Sequence, residues 1–159
     1  SRMGLSPMTP KSATVVPETG RSLGEHKTAE QIITILERFS AADELGFVTR
    51  VSPEKADAVL AALPAVEAHA DARCLTFGKL PALPPGPPPV AVLSGGSSDR
   101  SVVAEATLAL SCHGIGVDPL MDVGVAGLYR LLDQLPRLES AVVLIACAGM
   151  EGALPTVLA

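Results

Sequence analysis

The chain of 159 residues has room for one medium domain, or for a small unit joined to a medium one. It is 48% hydrophobic, which excludes wholesale disorder, and its net charge of −5 without a basic, aromatic-interleaved patch argues against nucleic acid as partner. With no Trp, one Tyr and three Phe, the core falls to Ala, Val and Leu, a composition suited to close helix-on-sheet packing in α/β folds. Cys74, Cys112 and Cys147 are odd in number and far apart, and are read as reduced thiols of a cytoplasmic protein. No apolar run approaches the roughly 18–20 residues of a membrane span.

Residues 1–25, rich in Ser, Thr, Pro and Gly, are expected to be a flexible lead-in. Thr28 can cap a helix with Gln31 as reciprocal partner, and Ile32, Ile33, Leu36 and Phe39 fall on one of its faces. "GFVTRV" predicts a strand over Gly46 to Val51. Ser52-Pro53-Glu54 opens a second helix with an apolar stripe of Ala56, Val59, Leu60 and Leu63. "RCLTF" predicts a further strand, so residues 26–79 form a small α+β unit. "LPALPPGPPP", residues 80–89, carries six prolines; it can neither continue a helix nor pair in a sheet, and marks a stiff connector at a domain boundary.

Residues 90–159 alternate strand, loop and helix. "VAVLS" is a strand, Arg100 to His113 a helix ended by Gly114, "IGVDPLMDVG" holds the second strand, and "VAGLYRLLDQL" is a helix. "SAVVLIACAG" is the third strand and "GALPTVLA" the opening turn of another helix. Apolar strands alternating with helices predict an α/β domain with a parallel sheet covered on both faces. All loops that follow the strands then open on one edge, where such sheets bind ligands. "SGGSSDR", "MDVGVAG" and "AGMEGALP" are therefore expected to converge.

In the first loop, Ser97 and Ser98 with backbone N–H groups suit a phosphate or carboxylate. The competing reading is that Ser98 or Asp99 merely caps the helix; Asp99 otherwise suits a ribose hydroxyl or a metal. In the second, Asp122 stands at the strand exit, and Arg130 either clamps an anion or sits in solvent. Tyr129 is read as packing. In the third, Glu151 at a helix start can hold Mg²⁺ or orient a substrate, or simply complement the helix dipole. None of His26, His69 and His113 falls in these loops.

"AVLSGGSSD", "DVGVAGLYRLLD" and "AGMEGALP" resemble the PurE-like carboxylases, specifically the LarB branch, as do "TRVSPEKADAVLAALP" and "GEHKTAEQI" upstream. The resemblance runs from about Gly24 to Ala159. It implies a Rossmann-like, flavodoxin-like three-layer parallel sheet over residues 90–159, here C-terminally incomplete. It also implies carboxylation of the pyridinium ring of nicotinic acid adenine dinucleotide with hydrolysis releasing AMP, the first step of nickel-pincer cofactor synthesis. Mg²⁺, CO₂ or bicarbonate as co-substrate, and a homo-oligomer come with it. By motif, Ser97, Ser98 and Asp99 match the family's T-S-D turn, with Ser in place of Thr at the first position. Asp122 and Arg130 match the second loop, and Glu151 matches the glutamate placed nearest the metal and the carboxylation. The aminoimidazole ribonucleotide carboxylases carry a Ser-Ala-His-Arg loop where this chain has "MDVGVAG", so purine synthesis is the weaker alternative. The family's cysteine nucleophile is expected beyond Ala159, which leaves an inactive fragment or a non-catalytic, nucleotide-binding or dimerising module as the other alternative.

Overall fold

The computed structural model describes residues 24–123 and 128–148. Two three-stranded sheets organise them, one antiparallel and one parallel.

The first unit begins at a one-turn 3₁₀ helix, Gly24–His26, which leads into helix α1, Ala29–Ala41. The capping box forms as the sequence predicts: Gln31 N donates to Thr28 Oγ1 at 3.2 Å and Thr28 N donates to Gln31 Oε1 at 3.0 Å. Helix α2, Pro53–Ala62, starts on the Ser52 hydroxyl with Pro53 in its first turn. Strands β1 (Gly46–Val48), β2 (Glu67–His69) and β3 (Cys74–Phe77) pair antiparallel in the order β1-β3-β2. Ile32, Leu36, Val59 and Leu75 are fully buried between helices and sheet. Gly24 is buried so tightly that a Cβ there would fall 2.9 Å from Val51 Cγ2 and 3.0 Å from Thr49 O. Its N–H donates to Thr49 O at 2.9 Å, and Lys55 Nζ donates to its carbonyl at 2.8 Å, fastening the entry segment to α2.

Two expectations need correction here. The strand predicted over Gly46 to Val51 ends at Val48, because Arg50 takes a left-handed conformation (φ 54°) that breaks the extended chain. β2 was not expected from the sequence, since "EAH" is exposed and has no apolar alternation; it pairs as an edge strand on β3.

The Pro-rich connector is neither helix nor strand, as predicted, and it lies along the second unit. Pro81 packs beside Gly114 and Pro88 beside Gly116, and the Pro89 carbonyl accepts from Val142 N and Val143 N at 2.8 and 3.1 Å.

The second unit contains β4 (Val90–Ser94), α3 (Arg100–Cys112), β5 (Val117–Leu120), α4 (Leu128–Asp133), α5 (Leu135–Leu138) and β6 (Val143–Cys147). All pairings are parallel and the order is β5-β4-β6. β4 is buried along its whole length. Val90 and Val92 face α3 with Val103, Ala106 and Leu110, while Ala91 and Leu93 face the other side with Leu131 and Leu138. This is the expected three-layer α/β arrangement. α3 ends where Gly114 adopts φ 73°, a conformation that a glycine enters without strain.

The helix expected over "VAGLYRLLDQL" is divided: α4 stops at Asp133 and α5 starts at Leu135 with Pro136 in its first turn, where the missing N–H costs no hydrogen bond. Tyr129, expected to pack, is 83% exposed. The lead-in up to residue 23, the "GVAG" stretch (124–127) and everything from Gly149 onward, including the expected last helix turn, lie outside the described residues.

Leu36→Ala removes a fully buried side chain from the first core and is expected to lower unfolding stability by about 2–5 kcal/mol, read as a reduced midpoint in urea.

Candidate functional site

Because β4, β5 and β6 run parallel, their carboxyl ends share one edge, and two backbone hydrogen bonds join the exits there. Gly95 N donates to Cys147 O at 3.2 Å, and Val123 N donates to Ser94 O at 3.0 Å. Ser94 is completely buried, and its hydroxyl donates to Gly96 O at 3.2 Å, which closes the turn after β4. β4 is central, with α3 on one face carrying the chain to β5 and α4 and α5 on the other carrying it from β5 to β6, so β5 and β6 flank β4 on opposite sides. The strand order thus reverses between β4 and β6, and the ends of these strands are the position where doubly wound sheets take ligands.

Ser97–Asp99 form one 3₁₀ turn leading into α3. Ser97 and Ser98 are exposed. Asp99 occupies the N-cap position of α3 and makes no side-chain capping hydrogen bond. The capping role weighed from sequence is therefore not taken up by Asp99, and among the described residues its carboxylate has no hydrogen-bond or ion-pair partner. Its charge reaches Cys147, the last residue of β6: the Cys147 thiol is pushed up first by burial and then by Asp99. The nearness of Asp99 to Cys147 could not be read from sequence, because it follows from β6 pairing with β4.

Asp122 sits two residues after the end of β5 in a left-handed conformation (φ 55°), which short polar side chains tolerate. Arg130 lines a separate hollow of about 220 Å³ flanked by Met121, Val123, Asp133, Gln134 and Arg137, and none of Ser97, Ser98 and Asp99 lines that hollow. Next to it Arg137 forks onto the Asp118 carboxylate and donates to Gln134 Oε1 at 2.8 Å, tying α5 to β5; the Asp118 hydrogen bond holds the guanidinium above its ordinary pKa. Glu151 lies outside the described residues. Among the described residues, no group of three or more His, Cys, Asp or Glu is placed to hold a metal ion.

The described cysteines are not activated. Cys74 is 2% exposed and donates to Ala72 O at 3.1 Å; burial, with Glu105 adding to it, pushes its thiol up to about 12. Burial alone pushes Cys112 up to about 11. A nucleophilic thiolate needs the opposite shift.

Comparison with known proteins follows the first unit. Residues 22–79 match a family model described as LarB/PurE-like N-terminal domain. An uncharacterised protein of Methanocaldococcus jannaschii, MJ0165, is 43% identical over 72 residues, which is 44% of this chain and 28% of that protein. The chain thus spans well under half the length of the curated relative it matches. No described helix is long and apolar enough to cross a membrane.

The raised thiols have a consequence for stability. The folded protein keeps protons that the unfolded chain, with ordinary thiols near 8.5, has already released, so stability is fully present below about pH 8.5 and falls as pH rises toward the folded values. Urea titrations between pH 8 and 11 are expected to show this decline, and Cys74→Ala is expected to flatten it.

Proposed function

We propose that this chain is part of a LarB-type enzyme that carboxylates the pyridinium ring of nicotinic acid adenine dinucleotide and hydrolyses its phosphoanhydride, releasing AMP. The observation that carries the reading is the succession of units. A segment matching the LarB/PurE-like N-terminal domain is followed by a parallel sheet whose exits meet at Gly95, with the Asp99 carboxylate beside them and not used to cap α3. In this reading the exposed Ser97 and Ser98 hydroxyls bind substrate phosphate, and Asp99 accepts from a ribose hydroxyl. Asp122 and Arg130 belong to the same machinery through the family motif, as does Glu151, assigned by that motif to the carboxylation. Mg²⁺ would supply charge neutralisation at the phosphates; CO₂ or bicarbonate is the co-substrate. A homo-oligomer and a place at the start of nickel-pincer cofactor synthesis belong to the same proposal.

A second reading, a nucleotide-binding module without turnover, is favoured by one observation: every described cysteine thiol is shifted away from the thiolate that covalent ring activation needs.

The test incubates the chain with nicotinic acid adenine dinucleotide, bicarbonate and Mg²⁺, follows AMP and carboxylated product by mass spectrometry, and measures dinucleotide binding in parallel. Turnover that falls about 100-fold or more in Asp99→Asn is the expected result. Binding without product selects the second reading, and absence of both binding and product overturns both.

A further inference from the structure

The two units meet without sharing a core. Every residue of the core around Leu36 and Leu75 comes from the first unit, and every residue of the two cores on either face of β4 comes from the second. Among the described residues no hydrogen bond and no ion pair joins one unit to the other. A cleft of about 630 Å³ lies between them, with Ala70, Asp71 and Ala72 of the β2–β3 turn on one wall and Arg100, Val103 and Leu108 of α3 on the other. Bodies joined so thinly are free to change their relative orientation.

The covalent joint is short. Gly78 follows β3 with φ 113°, a conformation open to glycine, and still packs on the first unit: a Cβ there would lie 3.5 Å from Leu45 Cα. Pro81 already lies against Gly114 of the second unit, and the connector follows that unit to Pro89, whose carbonyl accepts from Val142 N and Val143 N. Lys79 and Leu80 stand between these two anchorages, in neither helix nor strand and without a backbone hydrogen bond among the described residues. Changes of φ and ψ at so few residues suffice to turn one body on another.

We propose that the first unit turns as one body about Lys79 and Leu80, and that this motion closes and reopens the cleft over α3. Closure carries Ala70 toward Val103 and Leu108, burying apolar surface, and brings the Asp71 carboxylate nearer the wall that bears the Arg100 guanidinium. Both charged residues are exposed and outside any ion pair while the cleft is open. Their opposite charges favour the closed form, and salt weakens that preference. Arg100 follows Asp99 in the chain, and Met121 of the cleft lining precedes Asp122, so closure changes the surroundings of the strand exits. The motion stands whether or not the chain carboxylates anything.

The test records amide residual dipolar couplings of the full chain, together with nuclear Overhauser contacts between the Ala70 methyl and the methyls of Val103 and Leu108. The two units are expected to need separate alignment tensors. The Ala70 contacts are expected at low salt, to weaken severalfold in Asp71→Arg, and to return when Asp71→Arg is combined with Arg100→Asp. Leu80→Pro fixes φ at one pivot residue and restricts the other, and is expected to merge the two tensors into one. The proposal is overturned if one tensor fits both units of the parent chain, if the Ala70 contacts are absent at low salt or unchanged in Asp71→Arg, or if Leu80→Pro leaves the tensors apart.

Discussion

The parallel pairing of β4 with a strand on each side is the constraint on which the rest of the second unit depends. A strand buried along its whole length must satisfy its backbone groups laterally and its side chains on both faces. β5 and β6 do the first; α3 on one face and α4 with α5 on the other do the second. Parallelism then sends every exit to one edge, with the strand order reversing between β4 and β6. Asp99, the Cys147 thiol and the exposed serines are neighbours through this topology, although Asp99 and Cys147 stand 48 positions apart in the chain.

The two margins of that sheet are treated differently. β5 carries Pro119, which cannot donate to a further strand, and Asp118, whose carboxylate is held by Arg137. Both features suit a permanent edge. β6 carries Val143 and Leu144 at 49% and 44% exposed, with Val142 at 84% beside them. Among the described residues nothing covers this apolar margin, in contrast to the fully buried cores around Leu36 and Leu93.

How much was legible differs from residue to residue for physical reasons. The capping box at Thr28 and the Ser52 cap were readable because each involves groups three residues apart. β4 was readable because a strand buried on both faces must be apolar throughout. β2 was not, since its residues are exposed and its pairing is fixed only by β3; nor was the early end of β1, where Arg50 turns left-handed so that Val51 N can donate to Arg73 O at 2.8 Å. Tyr129 misled because aromatic identity says nothing about which face of a helix is covered.

The sequence by itself determined most of the local elements, the irregular Pro-rich stretch and the order in which strands and helices alternate, since these rest on periodicity, capping and the missing proline N–H. Only the tertiary structure decided that Asp99 does not cap its helix and acts electrostatically on Cys147, that Arg130 lines a hollow of its own, and that α3 and the β2–β3 turn flank a cleft. Those outcomes depend on contacts between residues distant in the chain, where geometry is set by how sheets and helices pack rather than by any local preference.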